Sequence, residues 1–483
     1  MSRSVALRLL AVIAVAVPLL WRDAGPRVGI VDAHTGPVAR AHAPLGQLLP
    51  EFRSARATMD RSKLLMSKVD SNKEKQTPRP ASRPITPEQL QLLERIEDGV
   101  MRIRGLRKMA DVSMELLDRD GLRDYLMAVA SDTDVDKLQG DYLKLIRVLG
   151  LSPKDSASVE AMVETLADHI LGFYSSEGKY MVLINSTGVL GSGEKATYAH
   201  EFTHALQDQH FDLGRLMEAA DEDQDSAAAI RALIEGDATY AEIRWALQAL
   251  SPSELWEFMF GTEPPSSRMR PSLDQLVTAA GSVAFTYGRG MNFVHHLHNV
   301  GGYSAINRAF AHPPTTTEQI FHPEKYVRGE GAMPVELPDA TELLGPGWTS
   351  LISDSLGMLG VGGLIYEYAD GRLATRVAEG WGGDKFSFLE HEDGRLALVL
   401  RTVWDTERDA VEFHNAMSES QRNRFRITLP ALQRFSSWQV LGSPEFSALV
   451  SRNRSEVLVT LTSDESTARQ VASSLGFYQG YWQ

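Results

Sequence analysis

The sequence contains no cysteine. That absence excludes a thiol nucleophile, a thiolate-ligated metal, a disulfide framework and a lipid anchor on an N-terminal cysteine. Positive charge is also short: 49 Lys and Arg stand against 63 Asp and Glu, a formal net charge of −14 at pH 7. Nucleic-acid binding needs clustered cations to neutralise phosphates, so no nucleic acid is expected and a peptide or protein partner is. A nucleotide loop is missing too, because Gly380-Trp381-Gly382-Gly383-Asp384 lacks the Lys-Ser/Thr of a P-loop. That stretch reads as a turn with Trp381 as an interface plug.

The apolar run Leu9–Leu20 follows Arg3 and Arg8. It is short for a membrane span and suits the core of a secretory signal. Residues 1–24 therefore read as a signal peptide of an exported, periplasmic, cell-surface or secreted protein. The alternative is an uncleaved anchor with a membrane tether through residues 9–20, because the small-x-small triplet Ala41-His42-Ala43 lies far from the run. Residues 25–84 are polar and interrupted by Pro78, Pro80 and Pro84, the texture of a flexible linker.

The remainder has an ordinary globular make-up, 43% hydrophobic and 23% charged over 483 residues, enough for two or three domains. Thr86-Pro87-Glu88-Gln89 carries a capping box with proline at the first helical position. Residues 90–172 read as several amphipathic helices. Lys179–Ile184 reads as a strand, followed by a glycine-bearing turn and a helix over 194–209. Asp223 and Asp225 belong to an acidic stretch without the glycine and spaced ligands of a calcium loop, and read as a solvated loop.

That helix holds His200-Glu201-Phe202-Thr203-His204. Histidines four apart project from one helix face and can share a metal ion, with Glu201 beside it. A carboxylate there can act as general base for hydrolysis by a zinc-activated water. A third protein ligand is still needed. His210 sits where an elongated His-Glu-x-x-His-x-x-Gly-x-x-His pattern would place one. However, the glycine position is Gln207, inside a run of helix formers that should carry the helix straight on. Glu235 is the better candidate: it lies among Leu233, Ile234 and Ala238 on a helix predicted over 226–250, and a buried carboxylate needs a partner. A salt bridge to Arg231 one turn earlier is the competing explanation.

With Glu235 as ligand, His200, Glu201, His204 and Glu235 resemble the gluzincin metallopeptidases. The longer match, His200 to Leu213 with Leu233 to Ala238, Thr315 to Tyr326 and Ala378 to Asp384, is similar to a group of exported bacterial proteins regarded as metallopeptidases. The resemblance implies zinc as cofactor, held in the cleft of a two-lobed fold. It departs from better-studied gluzincins in one respect: the acidic residue often found four after the ligand Glu is Thr239 here, and Asp237 falls on nearly the opposite helix face. Asp208 is the candidate to orient a ligating histidine. For the oxyanion of an attacked carbonyl, the candidate donors are Tyr287, His322 and Tyr326, and the strand at 180–184 is a candidate to align substrate. His295, His296 and His298 are crowded on one helix and read as a surface or interdomain group.

The expected fold class is α+β: a mostly helical, zincin-like catalytic domain with a small sheet over 85–338, and a smaller α+β domain over 339–483. In the latter, Leu396–Val403 and Val457–Thr462 each read as a strand that feeds a helix, and the domain is expected to close or shield the cleft. The function that follows is peptide hydrolysis by an exported zinc metallopeptidase. The rivals are a non-catalytic binding protein that keeps a structural zinc helix, and a zinc amidohydrolase acting on a non-peptide amide.

Overall fold

The computed structural model describes residues 84–477 except 132–139, 142–143, 146, 151–162, 165–166, 168–169, 177, 186–187, 221–222, 261–283, 367–370, 427–437 and 443–444. The N-terminal apolar run and the linker up to residue 83 lie outside the described residues. The architecture is α+β, with a helix-rich part around a three-stranded sheet and a second part built on a six-stranded sheet. Among the described residues no helix is long and apolar enough to cross a membrane.

Helix α1 (Pro87–Arg104) starts at the expected capping box and ends at the left-handed Gly105. Strand β1 (Ser113–Leu117) leads into α2 (Arg119–Ser131), and β2 (Gly172–Ser175) and β3 (Tyr180–Ile184) follow. The sheet order is β1-β3-β2, with β1 parallel and β2 antiparallel to β3. This corrects two expectations. Residues 90–172 are not helical throughout, and β3 is the central strand, so its backbone groups are taken on both sides and it cannot align a substrate.

Helix α3 (Ser192–Phe211) carries the His-Glu-x-x-His segment and runs unbroken past Gln207. After the short α4 (Leu213–Ala219) comes α5 (Gln224–Ala249), which carries Glu235. Leu93, Ile96 and Val100 of α1 pack with Phe202, Ala205 and Leu206 of α3 and Trp245 of α5. On its other side α5 meets α7 (Gly290–Ala311), which follows α6 (Pro252–Phe260) and a π-helical turn, Ala284–Arg289. There Ile230 and Leu233 pack with Phe293, Val294 and Leu297. The crossing is close because both helices are bare at the contact: a Cβ on Gly236 would fall on the Gly290 carbonyl.

Helices α8 (Thr317–Phe321), α9 (Pro323–Arg328) and α10 (Ala340–Leu344) connect to the six-stranded antiparallel sheet. Its strands are β4 (Trp348–Asp354), β5 (Trp381–His391), β6 (Leu396–Trp404), β7 (Trp438–Gly442), β8 (Ser447–Asn453) and β9 (Glu456–Thr462), in the order β4-β5-β6-β9-β8-β7. Alternation along the strands gives the sheet two apolar faces. Leu398, Leu400, Val457 and Val459 pack under α11 (Gly357–Tyr366), α12 (Gly371–Ala378) and α13 (Glu407–Phe425), whereas Ala397, Val399, Leu449 and Leu458 pack under α10 and α14 (Glu465–Ser474). The two strand-to-helix units are thus β6–α13 and β9–α14, one on each face. Gly382 and Gly383 are in strand β5, not a turn, and Trp381 lies in the core with its indole N–H donated to Asp384.

Candidate metal centre

Helices α3 and α5 bring His200, His204 and Glu235 together in the interior. The Nε2 atoms of the two histidines are 3.0 Å apart, and Glu235 Oε2 lies 3.1 Å from His200 Nε2 and 3.3 Å from His204 Nε2. Two ligands held about 2.0–2.1 Å from one zinc at the tetrahedral angle stand about 3.3–3.4 Å apart, so the triangle has the size of a tetrahedral metal site. His210 is elsewhere: it is exposed and donates from Nε2 to the Arg107 carbonyl at 2.8 Å.

The far nitrogen of each imidazole is also committed. His200 Nδ1 stands 3.0 Å from Glu242 Oε2, and a carboxylate can only accept, so Nδ1 carries the proton and Nε2 presents its lone pair. His204 Nδ1 stands 2.9 Å from Gln207 Oε1. The orientation of that amide follows from its other end, where Nε2 donates to the Ile234 carbonyl. His204 Nδ1 is therefore a donor and its Nε2 an acceptor. Three acceptor atoms thus converge on one point, an arrangement that calls for a positive charge. A metal ion is one way to supply it, and a proton is another: burial opposes the imidazolium of His204, but the Glu235 carboxylate, helped by Glu201 and Gln207, pushes its pKa up to about 9. Burial would raise Glu235, yet with protons in place of a metal ion the charges and hydrogen bonds of His204 and His200 hold it far below the usual carboxylate range.

Glu201 lies beside the group, 2% exposed, and its Oε2 accepts the backbone N–H of Tyr174 in edge strand β2 at 3.0 Å. His200 is fully buried, whereas His204 and Glu235 keep 7% and 6% exposure, so the group opens on the side of those two residues.

The other expected residues separate. Tyr287, in the π-helical turn, is buried with its ring 6.1 Å from that of His200. His322 caps the junction of α8 and α9, 3.6 Å from Glu324, outside the ligand triangle. The Tyr326 hydroxyl is spent on the His312 carbonyl at 2.7 Å. Asp208 does not orient a histidine; it accepts from the Tyr174 hydroxyl, Lys179 Nζ and the Leu213 N–H. That role belongs to Glu242 and Gln207, which the sequence reading missed. The signal was present, since Glu242 follows Glu235 by two helical turns and so shares its face. His298 sits beside Arg244, packed on Tyr240 and Tyr303.

A family model described as a domain of unknown function (DUF8575) matches residues 322–472, which take in the six-stranded sheet and leave out the ligand triangle. No curated protein and no solved structure matches the chain.

Proposed function

We propose that this protein is an exported, zinc-dependent metallopeptidase of gluzincin type. The observation that carries the reading is the convergence of three acceptor atoms at 3.0–3.3 Å, with Glu201 beside them on the helix of the two histidines. His200, His204 and Glu235 would hold the ion. Nitrogen and carboxylate ligands without sulfur suit zinc. When bound, zinc supplies Lewis acidity, which makes a water nucleophilic near neutral pH and polarises a carbonyl.

The chain's own residues do the rest. Glu201 takes the proton of the attacking water and returns it to the departing amine, so the amide C–N bond is replaced by a C–O bond with no covalent enzyme intermediate. The Tyr174 N–H holds that carboxylate in place. Of the three candidate donors, Tyr287, whose ring lies 6.1 Å from that of His200, is the one assigned to the oxyanion. Glu242 and Gln207 keep both imidazoles in the ligating tautomer.

The test uses the purified full-length chain. Elemental analysis is expected to find about one zinc per chain, lost in Glu235→Ala and kept in His210→Ala. Chelation is expected to abolish digestion of an unfolded protein such as casein, and added zinc to restore it. A folded chain without zinc, or digestion that survives chelation, would overturn the proposal.

A further inference from the structure

Behind Gln207 lies a buried ion pair. Arg104, at the end of α1, is fully buried, and its Nε donates to Asp237 Oδ2 at 2.8 Å; Asp237 is fully buried too. The same Oδ2 accepts from Gln207 Nε2 at 2.9 Å. The guanidinium lies over the Tyr303 ring, 4.9 Å from its centre.

Burying two charges gains little over well-packed apolar residues, and the pairs that repay it use the bidentate fork of arginine. This one does not. Among the described residues Arg104 Nη1 and Nη2 and Asp237 Oδ1 have no hydrogen-bond partner. What the pair secures is the place of a single atom, Asp237 Oδ2. With Oδ2 and the Ile234 carbonyl both on one side of the Gln207 amide, only its NH2 fits there, and its oxygen must face His204 Nδ1.

We infer that Arg104 and Asp237 are positioning residues for the metal ligand His204, acting through Gln207, so that a residue of α1 controls how tightly α3 and α5 hold their ion. The inference rests on the metallopeptidase reading only in requiring that the triangle binds zinc. His200 is oriented by a different residue, Glu242.

The experiment measures zinc affinity by chelator competition on the full-length chain, with cobalt(II) loading to shift the ligand imidazole N–H resonances out of the protein envelope. Arg104→Met with Asp237→Leu removes both charges, so no buried charge is left alone. That double variant is expected to bind zinc about 10–100-fold more weakly and to lose or broaden one imidazole N–H resonance, His204's, while His200's persists. Gln207→Leu should do the same, and the double variant added to it should weaken binding no further. If the double variant fails to fold, Arg104→Lys, which keeps the charge without the planar Nε–H, is expected to give a smaller loss in the same direction.

Wild-type affinity with both resonances retained in a folded double variant, or in Arg104→Lys, would overturn the relay. So would a loss fully additive with Gln207→Leu. A wild-type chain that takes up no zinc would instead overturn the metal reading itself.

Discussion

Two buried carboxylate clusters sit on α5, and they are built in opposite ways. Around Glu235 three acceptors face one another. Near the helix start, Asp225 Oδ1 accepts the Thr317 N–H at 2.9 Å and the Thr317 hydroxyl at 2.5 Å, while Asp384 of β5 accepts the N–H groups of Leu356 and Gly357 and the Trp381 indole. Gly357 is in the left-handed region at φ 68°, and a Cβ there would fall on the Asp225 carboxyl. The second cluster is satisfied by neutral donors and joins α5 to the six-stranded sheet; the first is not satisfied until a cation arrives. Burial alone therefore does not mark a site. The mark is a set of acceptors without donors. Among the described residues, His200, His204 and Glu235 are the group of three whose ligand atoms lie within 4.8 Å of one another.

The contrast is broken most severely at Glu201. Glu201→Gln keeps the shape and the bond from Tyr174 but removes the base, so proteolysis is expected to fall by about 10²–10⁴-fold while zinc content stays at the wild-type level. Matched assays of cleavage and metal content check this, and equal activity in the variant would rule out the assigned role. The donor-satisfied cluster supplies the control, since Asp384→Asn should leave both readouts unchanged.

Packing comes next. Gly236 adjoins Glu235, and its missing side chain lets α7 approach. Because the obstacle is the Gly290 backbone, which cannot rotate away, Gly236→Ala is expected to destabilise the chain by about 1–3 kcal/mol and to weaken zinc binding by displacing Glu235. Urea unfolding with and without zinc measures both. A smaller change is expected of Glu242→Gln, which offers His200 Nδ1–H a neutral acceptor: about tenfold weaker zinc binding, read by chelator competition, with no change in the folded spectrum.

The parts legible in the sequence are those set by local chemistry. The cap at Thr86, the helix through Gln207 and the meeting of His200, His204 and Glu235 in a group that could hold a metal ion depend on residue type and helical spacing, and each is where those signals place it. The parts that were not legible depend on contacts from far along the chain. Met114 to Leu117 is made of helix formers and is a strand because β3 pairs with it. Gly382 and Gly383 look like a turn but form part of β5, where Met333 donates its N–H to the Gly382 carbonyl and its own carbonyl packs where a Gly383 side chain would stand. Asp225, read as part of a solvated loop, is 3% exposed because Thr317, far along the chain, supplies its donors. Glu242 was overlooked for a different reason: it lies two turns after Glu235, whereas the supporting acid was expected one turn after it.

A last test sharpens the comparison through pH. Burial pushes the Asp225 carboxyl up to about 8 despite its bonds from Thr317, and the charges of Asp384 and Asp223 add to the rise; burial also lifts Asp384 to about 6. A folded-state pKa above the unfolded one means that the folded chain holds the proton more tightly. The resulting stability is complete below the ordinary carboxylate pKa of about 3.9 and is lost as pH rises toward 8. Urea midpoints should therefore fall between about pH 5 and pH 8, and Asp225→Asn, which keeps an acceptor for Thr317 but cannot ionise, should flatten the upper part of that slope, leaving the contribution of Asp384 below about pH 6. An unchanged slope in Asp225→Asn would mean that the proton is held elsewhere and that the second cluster differs from the first less than its donors suggest.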